Sequence, residues 1–186
     1  GVAVRDAMQA KLLGTPGDPS ALGMGMLPKE LLVGTPNASR SAPNGVDSFL
    51  VKHVSGGNAR GVFKTYEQGA GFWQGPTVDV ISLDEEPPSD VLGEALARLT
   101  GDGILFITLS PLLGRSQVVM RFIGDLSGAE HEDRGSVRMT LADAEHFTEE
   151  QKARRRASYS EAERSAREFG DPTMGEGSVF TTPEAD

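Results

Sequence analysis

The apolar positions of this chain predict a strand, a helix and a second strand in its middle. Val78 to Leu83 and Ile104 to Leu109 are nearly unbroken runs of Val, Ile and Leu, which is typical of strands buried on both faces of a parallel sheet. Between them, apolar residues recur along one face of a helix that we expect to end near Gly101. Two such strands joined by a helix form a right-handed crossover unit. The predicted apolar helix face comprises Val91, Leu92, Ala95, Leu96 and Leu99.

Shorter elements are predicted on the N-terminal side of this unit. Val2 to Leu13 has the apolar spacing of a short amphipathic helix that stops at Gly14. Residues 14–45 are so rich in Gly and Pro that we expect a long irregular excursion with one helical turn, at Pro28 to Val33.

A hairpin is predicted after the excursion. Ser48 to Val54 and Gly61 to Tyr66 have the composition of strands, and the residues between them are typical of turns.

Two short helices and a linker are predicted near the C-terminal end. Thr148 with Gln151, and Ser160 with Glu163, each match a capping box at the start of a helix. The second helix should stop at Gly170. Residues 173–186 lack an apolar period and are expected to form an interdomain linker.

Composition narrows the class of protein. With 186 residues and 19.7 kDa, the chain has room for one sizeable core, so we expect one domain with appendages. The absence of cysteine excludes disulfides and thiolate metal sites. A net charge of −9 disfavours nucleic-acid binding over the whole surface. The longest apolar run is too short to cross a bilayer, so a soluble protein without membrane contact is expected.

Three carboxylates at the end of the first central strand are the sharpest chemical signal. Asp84, Glu85 and Glu86 directly follow the apolar run and precede two prolines. Ligands of open parallel sheets bind at the carboxyl ends of strands. In phosphate-hydrolysing sheets, a strand-end Asp belongs to the magnesium shell and a neighbouring Glu positions the attacking water. Asp84 and Glu85 suit these roles, with Asp84 reaching magnesium through water. The alternative is an exposed acidic turn that leads into a helix N-terminus.

The second central strand favours the ligand-binding interpretation. It ends in Thr108, Leu109 and Ser110, which places small hydroxyl groups where a neighbouring strand would meet the same ligand. Thr108 and Ser110 are therefore candidate phosphate-sensing residues.

These motifs, in this order, resemble the large terminase subunit of tailed phages. The resemblance covers Gly61 to Pro183, and its strongest part is the strand that ends in Asp84 and Glu85, which is similar to a Walker B element. The segment from Thr108 to Leu112 is similar to the family's coupling motif. Further matching residues are Phe63 to Gly69, Gln74, Gly75, Gly114, Ala166, Arg167, Gly170, Pro172, Gly175 and Gly177 to Phe180.

The resemblance implies both an architecture and an activity. It implies an α/β fold with a mostly parallel sheet flanked by helices, that is, a P-loop NTPase (RecA-like) core, incomplete at its N-terminus. Residues 1–172 would be part of an ATPase domain that uses ATP and Mg²⁺, and residues 173–186 would lead to a nuclease domain. The implied partners are double-stranded DNA, the portal, the small terminase subunit and further copies in a homo-oligomeric ring. The implied location is the cytoplasm of an infected or lysogenic host.

One expected motif is missing from the sequence. No Gly-x-x-x-x-Gly-Lys-Ser/Thr occurs, and this loop normally cradles the phosphates and carries a Lys to them. We therefore expect inefficient ATP hydrolysis by the chain alone, and interpret it as a truncation or a partial gene product. A noncatalytic assembly or interaction module of NTPase fold is one alternative, and a helicase-like RecA motor is another.

Several other residues have both a functional and a structural interpretation. Arg98 and Arg115 are candidates for a trans-acting arginine, although surface ion pairs are the more common role. The cluster Arg154 to Arg156 could contact DNA, but its acidic neighbours favour a solvated helix face. His131 lies in an acidic loop without convergent metal ligands. Trp73 could stack on a base, but packing over a sheet is more usual.

Overall fold

The structure is a computed structural model that describes residues 2–40, 42–123 and 133–172. The chain divides into two compact units, Gly1–Pro76 and Thr77–Asp186. The first unit contains a three-stranded antiparallel sheet and the second a two-stranded parallel sheet. The class is therefore mixed α/β. The predicted parallel pairing is confirmed for the two central strands, but the expectation of a mostly parallel sheet is not met among the described strands.

The first unit begins with the predicted helix, α1 (Val2–Leu12). Its Gln9 side chain is buried, accepts a 2.9 Å hydrogen bond from the Val46 N–H, and donates at 3.3 Å to the Asn44 carbonyl. These bonds anchor α1 to the start of the sheet. The strands are β1 (Asn37–Ala38), β2 (Val46–Lys52) and β3 (Asn58–Val62).

The excursion over residues 14–45 is mostly irregular, as predicted. The expected helical turn is a 3₁₀ turn at Lys29–Leu31, and a second turn, not predicted, lies at Pro19–Ala21. The middle of the excursion runs along β2, where the Val33 N–H donates to the Leu50 carbonyl at 2.9 Å.

The hairpin of β2 and β3 is confirmed, but it starts earlier than predicted. The His53 N–H donates to the Gly57 carbonyl and the Gly56 N–H to the His53 carbonyl, which closes the turn before Asn58. Phe49 pairs with Gly61. The Phe49 ring is buried where a side chain at position 61 would otherwise lie.

The second unit contains the strand, helix and strand that the sequence predicts. These are β4 (Val78–Asp84), α2 (Ser89–Ala97) and β5 (Leu99–Thr108), and they are followed by α3 (Gln117–Ile123), α4 (Glu149–Ser158) and α5 (Glu161–Phe169). The helix ends earlier than expected, because Leu99 already pairs with Val78 as the first residue of β5. Placing Leu99 on the helix face was therefore wrong.

The prediction that both central strands are buried on both faces is also wrong. Ile81 and Leu83 are buried together with the predicted α2 residues Val91, Leu92 and Ala95. On the opposite face of the same strands, Val80 and Ile104 are each 62% exposed. A continuous apolar run does not reveal whether one or both faces are covered, because the residue types are the same in either case.

The two C-terminal helices are confirmed, with one difference at their starts. Thr148 and Gln151 form a reciprocal capping box. Ser160 accepts a hydrogen bond from the Glu163 N–H, but the Glu163 side chain turns to Arg167 instead of returning to the cap. Gly170 ends α5 with a left-handed φ of +68°.

Two predictions, those for His131 and for residues 173–186, lie outside the described residues. Within the described ranges, every helix is too short or too polar to cross a membrane.

Candidate functional site

The register of the parallel strands brings Asp84 and Thr108 side by side. These two residues are Cα partners at the carboxyl ends of β4 and β5. The Thr108 hydroxyl donates a 2.9 Å hydrogen bond to the Asp84 carboxylate. The Glu85 N–H also donates to the Thr108 carbonyl, at 2.8 Å. Two residues of the predicted acidic triplet are thus tied to the hydroxyl residue of the neighbouring strand.

Glu85 has an unusual backbone conformation. Its φ is +63°, and among the described residues only Asn44 shares a positive φ without being glycine. A left-handed conformation costs a residue with a Cβ about 1–2 kcal/mol. Such strain is concentrated at functional sites. It turns the chain sharply out of β4 and leaves the Glu85 side chain exposed.

The structure gives the three carboxylates different surroundings. Asp84 and Glu86 are half-buried and Glu85 is exposed. One Glu86 carboxylate oxygen, Oε2, is buried without a hydrogen-bond partner among the described residues. In the first turn of α2, the Val91 N–H donates a 2.9 Å hydrogen bond to the Asp90 carboxylate.

The donor set suits a partly solvated Mg²⁺ better than a closed metal site. Within the described ranges, no group of three or more His, Asp or Glu side chains converges as a metal cluster. Mg²⁺ commonly binds one or two carboxylates and completes its octahedron with waters and phosphate oxygens. Asp84, supported by the Thr108 hydroxyl, offers a carboxylate of this kind, and the buried Glu86 oxygen adds an acceptor two residues away.

Two further predicted site residues, Ser110 and Arg115, follow β5 in the chain. Ser110 is half-buried two residues beyond β5, and its carbonyl accepts from the Leu112 N–H at 2.7 Å. Arg115 is exposed just after Gly114, whose φ is +71°. Ser110 therefore follows the strand end that carries the site.

Arg98 lies at the opposite end of the parallel pair. Its carbonyl accepts from the Val78 N–H where the strands start, and its guanidinium is 3.4 Å from the Glu94 carboxylate. Asp84 lies six residue steps further along β4, which is about 20 Å at 3.3 Å per residue. The structure thus does not bring Arg98 to Asp84 of its own chain.

Sequence reasoning did not single out Arg167 as a candidate, although its guanidinium is held by two partners. Arg167 on α5 donates two hydrogen bonds of 3.2 Å to the Glu163 carboxylate, and its Cζ lies 5.9 Å from the centre of the Tyr159 ring. The pKa of Arg167 is raised first by these hydrogen bonds, then by the charges of Glu163, Tyr159 and Glu85. The spacing of Glu163 and Arg167 could have predicted their pairing.

The remaining candidates are engaged in ordinary packing and ion pairs. Trp73 lies 6.2 Å from the Tyr66 ring, and Lys64 sits over it at 5.6 Å. Burial lowers the pKa of Lys64. On α4, Arg154 pairs with Glu150 and Arg156 with Glu168. Arg155 stacks on Phe147 at 4.1 Å. The arginine cluster is thus an ion-paired helix face.

The fold and the strand-end residues define a mixed α/β protein with a carboxylate site at the end of a parallel strand pair. The family described as "Terminase large subunit, T4likevirus-type, N-terminal" matches residues 5–185. The chain therefore belongs to the terminase large subunit family. This agrees with the resemblance in the sequence and does not favour a helicase-like motor.

Two curated relatives carry the same name. "Terminase, large subunit" of Salmonella phage P22 is 43% identical over 168 residues, which cover 87% of this chain and 33% of the relative. "Terminase, large subunit" of Enterobacteria phage LP7 is 40% identical over 111 residues, which cover 59% of this chain and 22% of the relative. The chain spans about a third or less of these relatives. No solved structure matches it significantly.

Proposed function

We propose that this chain provides the Walker B and coupling part of the ATP-driven motor in a phage DNA-packaging terminase. In this proposal Asp84 belongs to the water shell of Mg²⁺ and Glu85 activates the water that attacks the γ-phosphate. Thr108 and Ser110 sense the phosphate, and they transmit its binding or loss to the neighbouring strand as a change in position. The architecture implied is a P-loop, RecA-like core.

The observation that carries this proposal is the contact between Asp84 and Thr108. Carboxyl ends of adjacent parallel strands face one ligand position in open α/β sheets, and here a carboxylate and a hydroxyl meet there at 2.9 Å. Glu85 follows at a sharp left-handed turn. A carboxylate just beyond a metal-binding Asp is suitably placed to orient a water, which in phosphoryl transfer needs positioning more than covalent chemistry.

The proposed activity requires a phosphate-binding loop from outside this sequence. The Gly-Lys loop motif is missing from all 186 residues, so efficient hydrolysis is proposed only when another stretch of polypeptide supplies it. On the family's pattern, we further propose double-stranded DNA, the portal, the small terminase subunit and a homo-oligomeric ring as partners, in the cytoplasm of the host.

A chimera tests the proposal. The part of the P22 relative that aligns with this chain is replaced by the matching residues of this chain, and Mg²⁺-dependent ATP hydrolysis is compared with that of the unmodified P22 protein. General-base catalysis contributes about 10²–10⁴-fold. Glu85→Gln should therefore lower kcat by about 100-fold or more. Glu161→Gln, an exposed acid on α5, is the matched control. A chimera that hydrolyses ATP equally well with Glu85→Gln would contradict the proposal.

The missing loop also supports a second candidate, a noncatalytic assembly or interaction module. A net charge of −9 and the lack of a Gly-Lys motif are compatible with loss of nucleotide binding. The same chimera separates the two candidates. A folded chimera that binds no nucleotide with Mg²⁺ favours the module, and one that loses hydrolysis on Glu85→Gln favours the motor.

A further inference from the structure

The hairpin of β2 and β3 differs in charge from the chain as a whole. Residues 48–66 contain three Lys or Arg residues and no Asp or Glu, in a chain whose net charge is −9. The three are Lys52, Arg60 and Lys64. An acidic chain repels the phosphates of a nucleic acid over most of its surface, so any contact with them requires a local basic surface. The hairpin is a surface of this kind.

The strand register places two of these cations on one face of the hairpin. Leu50 pairs with Arg60, and Lys52 pairs with Asn58. Side chains that lie directly opposite in an antiparallel pair share a face, and diagonal neighbours such as Lys52 and Arg60 are about 7–8 Å apart. Lys52, Asn58 and Arg60 are all exposed. An ammonium, an amide and a guanidinium group are thus accessible on the same side of the ribbon.

Neither cation of this face forms an ion pair with a described residue. The Lys52 ammonium donates a 2.8 Å hydrogen bond to the Glu30 carbonyl, and the Arg60 guanidinium donates at 3.5 Å to the Ser48 hydroxyl. Both acceptors are uncharged oxygen atoms, so they orient the side chains without cancelling their charge. The two positive charges therefore remain available to an anion.

The turn that joins the two strands is held by hydrogen bonds of its own. The His53 N–H donates to the Gly57 carbonyl at 2.8 Å, and the Ser55 N–H donates to the His53 ring at 3.2 Å. Val54 at the tip is fully exposed. A two-stranded ribbon has the dimensions to enter the major groove of DNA. Lys, Arg, Ser and Asn side chains are typical donors to its phosphate and sugar oxygens.

We propose that the face formed by Lys52, Asn58 and Arg60 binds the sugar–phosphate backbone of double-stranded DNA. The inference rests on the DNA partner proposed above, but not on the ATPase role of Asp84 and Glu85. Contacts to phosphate position a protein on the duplex without reading its bases, as a motor that moves along any sequence requires. An acidic protein segment is disfavoured, because protein interfaces are depleted in Lys and enriched in aromatic residues. The paired positions of this face include no aromatic residue.

Duplex binding by the chain itself tests the inference. Fluorescence anisotropy of a short labelled duplex is measured at about 50 mM salt, where each neutralised phosphate contributes about 10-fold in affinity. Lys52→Gln and Arg60→Gln should each lower the affinity by about 10-fold and make the slope of log K against log salt shallower by about 0.9. Lys11→Gln, which removes an exposed charge from α1, should change the affinity by less than about twofold.

Variants that keep the charge separate binding from folding. Lys52→Arg and Arg60→Lys should retain most of the affinity, because a phosphate contact needs the positive charge more than the shape of the group. No duplex binding by the wild-type chain, equal binding by the Lys52→Gln, Arg60→Gln double variant, or an equal loss for Lys11→Gln would overturn the inference. Polyglutamate is the probe for an acidic protein partner. Competition by polyglutamate as strong as that by unlabelled duplex would also overturn it.

A second comparison separates this inference from the proposed function. The Lys52→Gln, Arg60→Gln double variant should leave ATP hydrolysis by the P22 chimera unchanged in the absence of DNA, because neither residue belongs to the Asp84 site. Glu85→Gln should change duplex binding by the chain less than about twofold. Hydrolysis that does not depend on Glu85 contradicts the proposed function and leaves this inference intact. Duplex affinity that does not depend on Lys52 or Arg60 overturns this inference whatever the chimera does.

Discussion

The Thr108 hydroxyl donates a 2.9 Å hydrogen bond to the carboxylate of Asp84, and this bond joins the ends of two neighbouring parallel strands. Asp84 cannot move without affecting β5, and Thr108 cannot move without affecting β4. A change at either strand end, such as the loss of a phosphate, would therefore be transmitted to the other. In this way the hydrogen bond would perform the function of the proposed coupling motif.

Thr108→Val should remove the side-chain link between the strand ends, with a modest loss of stability, while the backbone bond from Glu85 to the Thr108 carbonyl remains. The substitution removes the donor to Asp84, and a net hydrogen bond contributes about 0.5–1.5 kcal/mol. We expect a decrease of that size in the free energy of unfolding, measured by urea denaturation of the chain. Thr108→Ser keeps the hydroxyl and should retain most of the stability. A Val variant as stable as the Ser variant would show that the hydrogen bond carries no net free energy.

Glu85→Gly should stabilise the chain and abolish its proposed activity. Glycine adopts a φ of +63° without the steric cost of a Cβ, although its flexible unfolded state offsets part of the gain. We expect a net gain of about 0.5–1 kcal/mol in the free energy of unfolding. The chimera should lose hydrolysis.

The control for this prediction is Glu85→Ala, which removes the carboxylate but keeps the Cβ and the strain. It should lose hydrolysis in the chimera without the gain in stability. If Ala and Gly variants were equally stable, the left-handed backbone would not be the source of the effect.

The sequence was sufficient to predict the central strands, the helix between them and the position of the acids. Buried positions such as Leu83, Val91 and Ala95 follow directly from apolar periodicity. The start of β5 was missed for an identifiable reason. Leu99 continues the helical spacing, and the residues after it contain Gly101 and Gly103, which are typical of a turn.

In the structure, this glycine-containing stretch lies inside β5 instead of before it. Val78 pairs with Leu99, but Val80 already pairs with Ile104, so β5 contains extra residues at an irregularity in the register. Glycine inside a strand commonly marks such a bulge. Local sequence patterns cannot specify which residues of the partner strand are skipped.

The candidate site was predicted only in part, because local sequence patterns also do not specify every feature of it. The contact of Asp84 with Thr108 follows from two strand ends that the sequence identifies. The left-handed backbone of Glu85 does not, because a glutamate in the sequence gives no indication of a positive φ. Arg98 illustrates the converse, since it is close to the acids in sequence but lies at the other end of the strands.

Gly61→Ala should destabilise the hairpin of the first unit. A Cβ at this position would lie 2.2 Å from the nearest carbon of the Phe49 ring, which is only 8% exposed. Overpacking of a buried ring costs about 1–3 kcal/mol. We expect a loss of that size in the free energy of unfolding. Gly57→Ala is the matched control, because its Cβ would meet only the Ser55 hydroxyl at 3.9 Å. Similar losses for both variants would argue against the Phe49 contact as the cause.

Asp143 should contribute stability that depends on pH. Its carboxylate accepts hydrogen bonds of 2.7 Å from both the hydroxyl and the N–H of Thr140. The hydroxyl first, and then the N–H and the charge of Lys152, lower the pKa of Asp143 in the folded chain. Because the folded pKa lies below the unfolded value of about 3.9, folding favours the ionised form. The contribution is complete above the unfolded pKa and is lost as the pH falls through the folded pKa.

Asp143→Asn therefore has a predicted pH profile. The variant should unfold at a lower urea concentration than the wild-type chain at pH 7 and pH 5. The difference should shrink below about pH 4, because the wild-type carboxylate is then increasingly protonated in both states. Thr140→Val, which removes the hydroxyl donor, should reduce the pH-dependent part of the difference, whereas Thr140→Ser should preserve it. A difference that stays constant from pH 7 to pH 3 would mean that the charge of Asp143 contributes nothing to folding.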